Sequence, residues 1–220
     1  MKNTSSSTIC RILIIGGLTL NLPGCTNTGT AAVASLKEVF HRQPNLSGFD
    51  PTYEYLQLAT PLQQATLALG YSEKFGRQTR EIWYSADKTT FQLEEGRYHS
   101  SKNLEINWQE TKLHSAPKLE DVSRAQTYSR ERLQMPGHRG PYQETVTIEP
   151  IPPSAAPKES PHYLIHQSEW LKESVINPAI PMTEVIVAYY ARDPKTKKII
   201  WAMQCLSENF CLRWQRLSVK

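Results

Sequence analysis

The sequence lacks most of the features that announce a function. No apolar run reaches the roughly 20 residues that cross a bilayer as a helix. A Gly-x-Ser-x-Gly elbow and a glycine-rich phosphate loop are both missing, which removes the commonest hydrolase and nucleotide-binding signatures. There is no internal repeat and no long helical pattern. Cysteine is scarce, with 4 in 220 residues and no C-x-x-C spacing, so the usual zinc-cluster and thiol-redox patterns are absent. Charge is nearly balanced, 25 Lys and Arg against 21 Asp and Glu, with no concentrated basic stripe. That is no nucleic-acid footprint.

What is present begins at the N-terminus. Lys2 and Arg11 are the only charges before Gly24, and between Arg11 and Leu22 runs the apolar stretch ILIIGGLTLNL. A positive start, about a dozen apolar residues and a small residue at the end form a secretory leader, too short to serve as an anchor helix. Leu22-Pro23-Gly24-Cys25 resembles a bacterial lipobox, with Pro23 departing from the usual occupant of the second position. The resemblance implies that residues 1–24 are removed, that Cys25 takes a diacylglycerol on sulfur, and that its new N-terminus is acylated. Several acyl chains anchor stably where one holds only marginally. Thr26, standing where an Asp would retain such a protein, implies transfer to the outer membrane. The plain alternative is an ordinary secretory leader with Cys25 as a bystander.

Residues 25–31 then form a lipidated Cys and short polar tether, and residues 32–220 a single domain. Without Lys2 and Arg11 the body is close to neutral. Cys10 leaves with the leader and Cys25 is lipidated, so Cys205 and Cys211 remain as a pair. In IIWAMQCLSENFCLRW two strands flank a turn at Ser207-Glu208-Asn209, which sets Cys205 opposite Cys211. An oxidising compartment makes this a disulfide that contributes roughly 2–3 kcal/mol.

The patterning is mainly β. AAVASLKEVFHR reads as a short amphipathic helix that Pro44 stops. From Tyr53 the segments YEYLQLA, ATLALGY, REIWYS, TTFQLEE and RYHSS alternate as strands, divided by ADK and Gly96. LEINW is a candidate short edge, and SRAQTYSRERLQM is compatible with strand or helix. GPYQETVTIEP is a strand, and residues 150–161 are a proline-rich loop. TEVIVAYYARDPKTKKIIWAMQC is a hairpin turning at Asp193-Pro194-Lys195, and FCLRWQRL closes the chain. The expected fold is an antiparallel sheet, half-closed barrel or sandwich with one or two short helices.

Candidate chemistry is thin. His162 and His166 in HYLIH share a helical spacing, but Tyr163 stands where a zinc protease carries its glutamate, and Pro161 favours an extended segment. Glu81, Glu94 and Glu95 lie on neighbouring strand candidates, and the tight turn at Gly96 makes solvated charge their ordinary role. Ser85 and Asp87 are turn formers. Adjacent aromatics are more suggestive. Trp83 and Tyr84 must point to opposite faces of a strand, as must Tyr189 and Tyr190. The same division is expected of Trp201 and Trp214. An outward member of such a pair can stack on a sugar ring or enter a partner interface. No catalytic, metal or cofactor residue is expected.

The order of these elements, with ASLKEVF, Leu69-Gly70-Tyr71, Trp83 with Ser85-Ala86-Asp87, Gly96-Arg97 and the hairpin YYARDPKTKKIIWAMQ, resembles the YjbF-type lipoproteins of exopolysaccharide and group 4 capsule operons. The resemblance is strongest over 69–97 and 189–204, and the Cys205–Cys211 pair is not a feature it requires. It implies a non-enzymatic outer-membrane lipoprotein on the periplasmic face that helps export or assemble a surface polysaccharide. The implied partners are an outer-membrane β-barrel and a periplasmic polysaccharide-export protein. A reading from another class is a lipid or lipoprotein carrier, in which a half-barrel holds an acyl chain in an apolar cavity.

Overall fold

A computed structural model describes residues 48–76, 78–176, 186–207 and 209–217. The leader, Cys25, the tether and the helix expected over AAVASLKEVFHR lie outside the described residues.

The chain builds one 12-stranded antiparallel sheet. Its first strands are β1 (Tyr55–Ala59), β2 (Gln64–Phe75), β3 (Gln78–Tyr84), β4 (Thr90–Glu94), β5 (Arg97–Lys102) and β6 (Asn107–His114). The rest are β7 (Gln126–Met135), β8 (Arg139–Ile151), β9 (Glu169–Ile176), β10 (Ile186–Arg192), β11 (Ile199–Ser207) and β12 (Phe210–Leu217). Each strand pairs with its sequence neighbour except β5 with β6, and β1 pairs with β12. The wall is therefore an up-and-down, nearly closed barrel whose first and last strands are joined. Its seam lies between two strands consecutive in the chain. Side chains bridge that seam. Thr111 Oγ1 donates to the His99 carbonyl at 2.9 Å, the Trp108 amide donates to Tyr98 Oη at 3.1 Å, and Ser101 Oγ donates to Asn107 Oδ1 at 2.6 Å.

Register fixes which side chains face inward, because residues directly opposite share a face. Leu58 opposes Trp214, Trp214 opposes Ala202, and Ala202 opposes Tyr190. Across the other half Trp83 opposes Phe91. These residues are buried, and Phe91, Tyr98 and Trp108 continue the core, with ring centroids 5.3 and 5.2 Å apart in sequence. Truncating one such ring to alanine costs about 3–5 kcal/mol. The alternate positions, among them Thr127, Ser129, Gln143, Thr145 and Glu149, are polar and exposed. On β7 and β8 the outer face is thus polar, unlike the apolar outer band of a membrane-spanning barrel. Among the described residues no helix is long and apolar enough to cross a membrane.

The proline-rich loop lies against the outside of the wall. A 3₁₀ turn (Pro153–Ala155) and the single-turn helix α1 (His162–Ile165) cover a second cluster in which Leu164, Trp170, Ala191 and Trp201 are buried. Trp170 Nε1 donates to the Ile165 carbonyl at 3.1 Å, and its ring lies 5.6 Å from that of Trp201. So HYLIH is helical, not extended. Pro161, extended at φ −58° and ψ 128°, immediately precedes the first helical residue. Of LEINW only Asn107 and Trp108 are strand, the start of a β6 that runs on to His114, and SRAQTYSRERLQM is strand from Gln126 onward. β9, with no counterpart among the sequence expectations, completes the wall between β8 and β10.

One end of the barrel is closed by the segment between β6 and β7. Its 3₁₀ turn (Leu119–Asp121) sends Leu119 and Val122 into the core. Arg192, at the end of β10, holds it. Its Nη1 donates to the carbonyls of Leu119, Glu120 and Val122 at 2.8, 2.8 and 3.2 Å.

Candidate functional site

The plug leaves a cleft of about 220 Å³ beside it, at the end where β3, β5 and β11 begin and β12 finishes. Five separate stretches of chain supply its walls. Thr79 and Glu81 come from β3, Glu95 and Gly96 from the β4–β5 turn, and Lys118, Leu119 and Glu120 from the plug. Lys197, Lys198 and Ile199 come from the β10–β11 turn, and Arg216 from β12.

The turns place these groups by ordinary backbone chemistry. Asp193 Oδ1 accepts the amides of Lys195 and Thr196 at 3.0 and 2.7 Å, which tightens the β10–β11 connection and swings Lys197 and Lys198 to the rim. Those donated bonds, the Thr196 amide first, hold the Asp193 carboxyl below its ordinary range. Gly96 has φ +78°, and a Cβ there would stand 3.1 Å from Ile199 Cγ1 and 3.3 Å from Leu119 Cδ1. The turn needs glycine both for its backbone and for the close approach of the two aliphatic side chains. Glu95 is anchored by the Thr79 amide, which donates to Oε1 at 2.5 Å.

Arg216 organises the inner side. Its Nη2 donates to both oxygens of Glu81 at 2.8 and 2.6 Å, and its Nε to the Ile199 carbonyl at 2.9 Å. The guanidinium lies over Trp83 and Trp214, 5.3 and 5.8 Å from their ring centroids. Nη1 is buried without a hydrogen bond and stands 3.6 Å from Glu54. Around the rim every ammonium faces a carboxylate. Lys198 meets Glu54 at 3.0 Å and Lys197 meets Glu169 at 2.6 Å. Lys118 stands 3.6 Å from Glu120 and 4.0 Å from Glu95. The Lys197 bond, with help from Arg192, holds the Glu169 carboxyl low despite some desolvation.

A second, apolar cleft of about 330 Å³ lies on the other side of the plug, among Val122, Ile151, Pro153, Trp170 and Leu171, with Ser168 and Arg192 at its edge.

Inside the wall sits a polar cluster that no sequence pattern announced. Glu173 is fully buried and accepts from Arg97 Nε at 2.7 Å, Tyr128 Oη at 2.9 Å and Tyr190 Oη at 2.8 Å. Gln204 donates to Tyr190 Oη at 3.1 Å and accepts the Tyr98 amide at 3.0 Å. Burial works against the Glu173 charge, but Arg97, Arg130 and the donated bonds outweigh it and keep the carboxyl below its usual range. Burial and the Glu173 charge push Tyr190 far up, and burial pushes Tyr98 up to about 12. A neighbouring trio pairs Glu144 with Arg130 and Arg132 at 2.6 Å each, with both guanidiniums over Trp108.

The residues singled out in the sequence fall as follows. Cys25 lies outside the described residues. Cys205 and Cys211 are directly opposite on β11 and β12 and form a disulfide. Trp83 is buried inside and Tyr84 is 43% exposed on the outer face, beside Tyr71. Tyr190 is in the Glu173 cluster, whereas Tyr189 packs half-buried against the outer cluster. Trp201 and Trp214 face opposite sides, and both are fully buried. Glu81 and Glu95 share the cleft. Glu94 does not, because it is buried against Arg80 at 2.8 Å and His99 at 3.4 Å. His162 and His166 are both exposed. Among the described residues, no three His, Cys, Asp or Glu side chains are gathered as a metal site. Asp87 closes its turn by accepting from Ser85 Oγ and the Thr89 amide, and the Ser85 bond lowers its carboxyl.

No family model matches the sequence, and no curated protein does. A solved structure does match. The fold is similar to that of the hypothetical lipoprotein YmcC from Escherichia coli, with a TM-score of 0.58 and 14% sequence identity over 87% of this chain and 94% of that one. At that identity the likeness is one of fold.

Proposed function

We propose that this chain is an outer-membrane lipoprotein, anchored through Cys25 on the periplasmic face, and that it acts without catalysis as an accessory in the export or assembly of a surface polysaccharide. The observation that carries the reading is a coincidence of independent kinds. A lipobox-like Leu22–Cys25 precedes a body whose barrel is similar to that of a protein described as a lipoprotein. The Leu69–Arg97 block that resembles the capsule-operon family forms one continuous part of that barrel, β2 to β5. The partners this role calls for are an outer-membrane β-barrel and a periplasmic polysaccharide-export protein, and Tyr71 and Tyr84 offer them an outward aromatic surface.

A lipid carrier would use the barrel interior. That space holds Trp83, Phe91, Trp108, Trp214 and the Glu173 cluster, which speaks against an acyl chain there. The deciding experiment measures surface and periplasmic polysaccharide in a strain lacking the chain and in one carrying Cys25→Ala. Loss of surface polymer in both supports the role. Normal polymer in both overturns it.

A further inference from the structure

The cleft beside the plug is unusual in its charge pattern. Its cations, Lys118, Lys197, Lys198 and Arg216, are each set against a carboxylate, so neither sign is in clear excess along its walls. An anion entering it must displace Glu81, Glu95 or Glu120 from a cation. A cation must displace a lysine or Arg216. Both exchanges trade one ion pair for another with no gain. An uncharged ligand whose groups both donate and accept has no such conflict. A hydroxyl can accept from an ammonium and donate to the carboxylate facing it.

Two features show that this capacity is spare. Lys118 stands 3.6 and 4.0 Å from its carboxylates, beyond hydrogen-bond reach, and its ammonium and Glu120 are both solvent-accessible, so a hydroxyl can bridge them from the cleft side without breaking a hydrogen bond. And the cleft has an apolar patch where Leu119 and Ile199 meet at Gly96. Charged forks around an aliphatic patch suit a ring with hydroxyls on its edge and C–H groups on its face. The volume of about 220 Å³ lies below the roughly 300–1,000 Å³ of drug-sized pockets, which limits the occupant to about one ring.

We propose that this cleft binds a single uncharged sugar residue, held by hydroxyl contacts to Lys118, Glu120, Glu81 and Arg216. The assignment deepens the polysaccharide reading and rests on it for biological meaning, although the charge argument stands alone.

The test uses the lipidated mature protein in a detergent without a sugar headgroup. Saturation-transfer NMR is recorded with glucose, galactose and N-acetylglucosamine, and with glucuronic acid and glucosamine as charged counterparts. The expected result is binding of at least one neutral sugar, with its charged counterparts about tenfold weaker or silent. Lys118→Ala and Glu120→Gln, both at part-exposed positions of the plug, should each weaken binding about tenfold, the loss of one charge-assisted contact, while thermal melting stays unchanged. Three results would overturn the assignment: no neutral sugar bound by folded wild-type protein, equal binding of charged sugars, or full binding by both variants. The outcome separates from that of the export reading. A deletion strain that loses surface polymer while the purified protein binds no sugar sinks the cleft assignment alone. Unchanged polymer with a sugar-binding cleft sinks the export role alone.

Discussion

Tyr84 rests on Gly70. A Cβ built at Gly70 would lie 2.4 Å from Cε2 and 2.6 Å from Cδ2 of the Tyr84 ring. Gly70 also marks the register shift between Leu69, opposite Trp83, and Tyr71, opposite Ile82. The missing side chain at the bulge is thus the seat of an outward tyrosine ring. Gly70→Ala should displace that ring and cost about 1–3 kcal/mol, or a melting temperature lower by several degrees. In a double-mutant cycle the added Tyr84→Ala should recover much of the loss. Additive losses would show that the contact is not the cause.

Glu173 is the hub of the interior. Glu173→Gln keeps the shape but leaves Arg97 without its counter-charge, and a buried pair broken from one side costs about 3–5 kcal/mol. Urea unfolding measures it. Because the folded carboxyl sits below the ordinary glutamate value of 4.5, its contribution is complete above that pH and is lost as acid protonates the folded form. The wild-type advantage over the variant should therefore shrink below pH 4.5. An advantage that stays constant would contradict the assigned charge.

His99 gives a second acid response in a different window. Burial, and then the nearby Arg80 charge, depress its folded pKa to about 4 from 6.5. The unfolded chain binds the proton first as pH falls, so stability declines from about pH 6.5 to 4, by up to about 3 kcal/mol. His99→Gln should flatten unfolding free energy across that interval. An unchanged slope would assign the effect to other groups.

Arg192→Ala should release the plug. Three carbonyls, those of Leu119, Glu120 and Val122, lose their shared donor. Hydrogen exchange over residues 116–125 is expected to quicken well beyond the change in the strands. A uniform change throughout the wall would mean that Arg192 supports the barrel rather than the plug.

Removing the Cys205–Cys211 cross-link by double serine substitution should cost about 2 kcal/mol, the chain-entropy value for so short a loop. The same shift on reduction of the wild type, read by thermal melting, would confirm that the bond is formed in the native protein.

Much of the wall was legible in the sequence, because the hydrophobic period of two survives wherever a strand has one dry face. Trp83 against Tyr84 and Tyr190 against Tyr189 divide as adjacent strand residues must. Gly96 and Asp193 mark turns for reasons that operate within a few residues. Legibility failed where polar side chains turn inward. In β9 the inward position between Leu171 and Val175 is Glu173, which breaks the alternation, and the strand went unread. Arg130 and Arg132, turned inward in the same way, leave β7 readable as strand or helix, whereas the alternation of β8 around Glu144 survives well enough to read as strand. β6 was cut short because a bulge between Trp108 and Glu110 resets its phase. The cleft was the least legible part. Glu81 and Glu95 stand out in the sequence as carboxylates on neighbouring strands, but nothing local ties them to Lys118, Lys197 or Arg216, which only closure of the ring brings near.

That closure has a consequence for the order of events in biogenesis. β1 is complete early in synthesis and can zip to β2 at once, yet its other hydrogen-bonding edge belongs to β12, the last strand to emerge. Until then the nascent chain carries a bare template of five residues, four of them buried in the finished molecule, open to any passing strand. Because the partner follows ten other strands in the chain, the ring cannot be finished until the rest of the sheet has been made. A chain truncated before Phe210 would keep both β1 and β11 as sticky ends. Chains that lose β12 should therefore aggregate rather than persist as partly folded barrels.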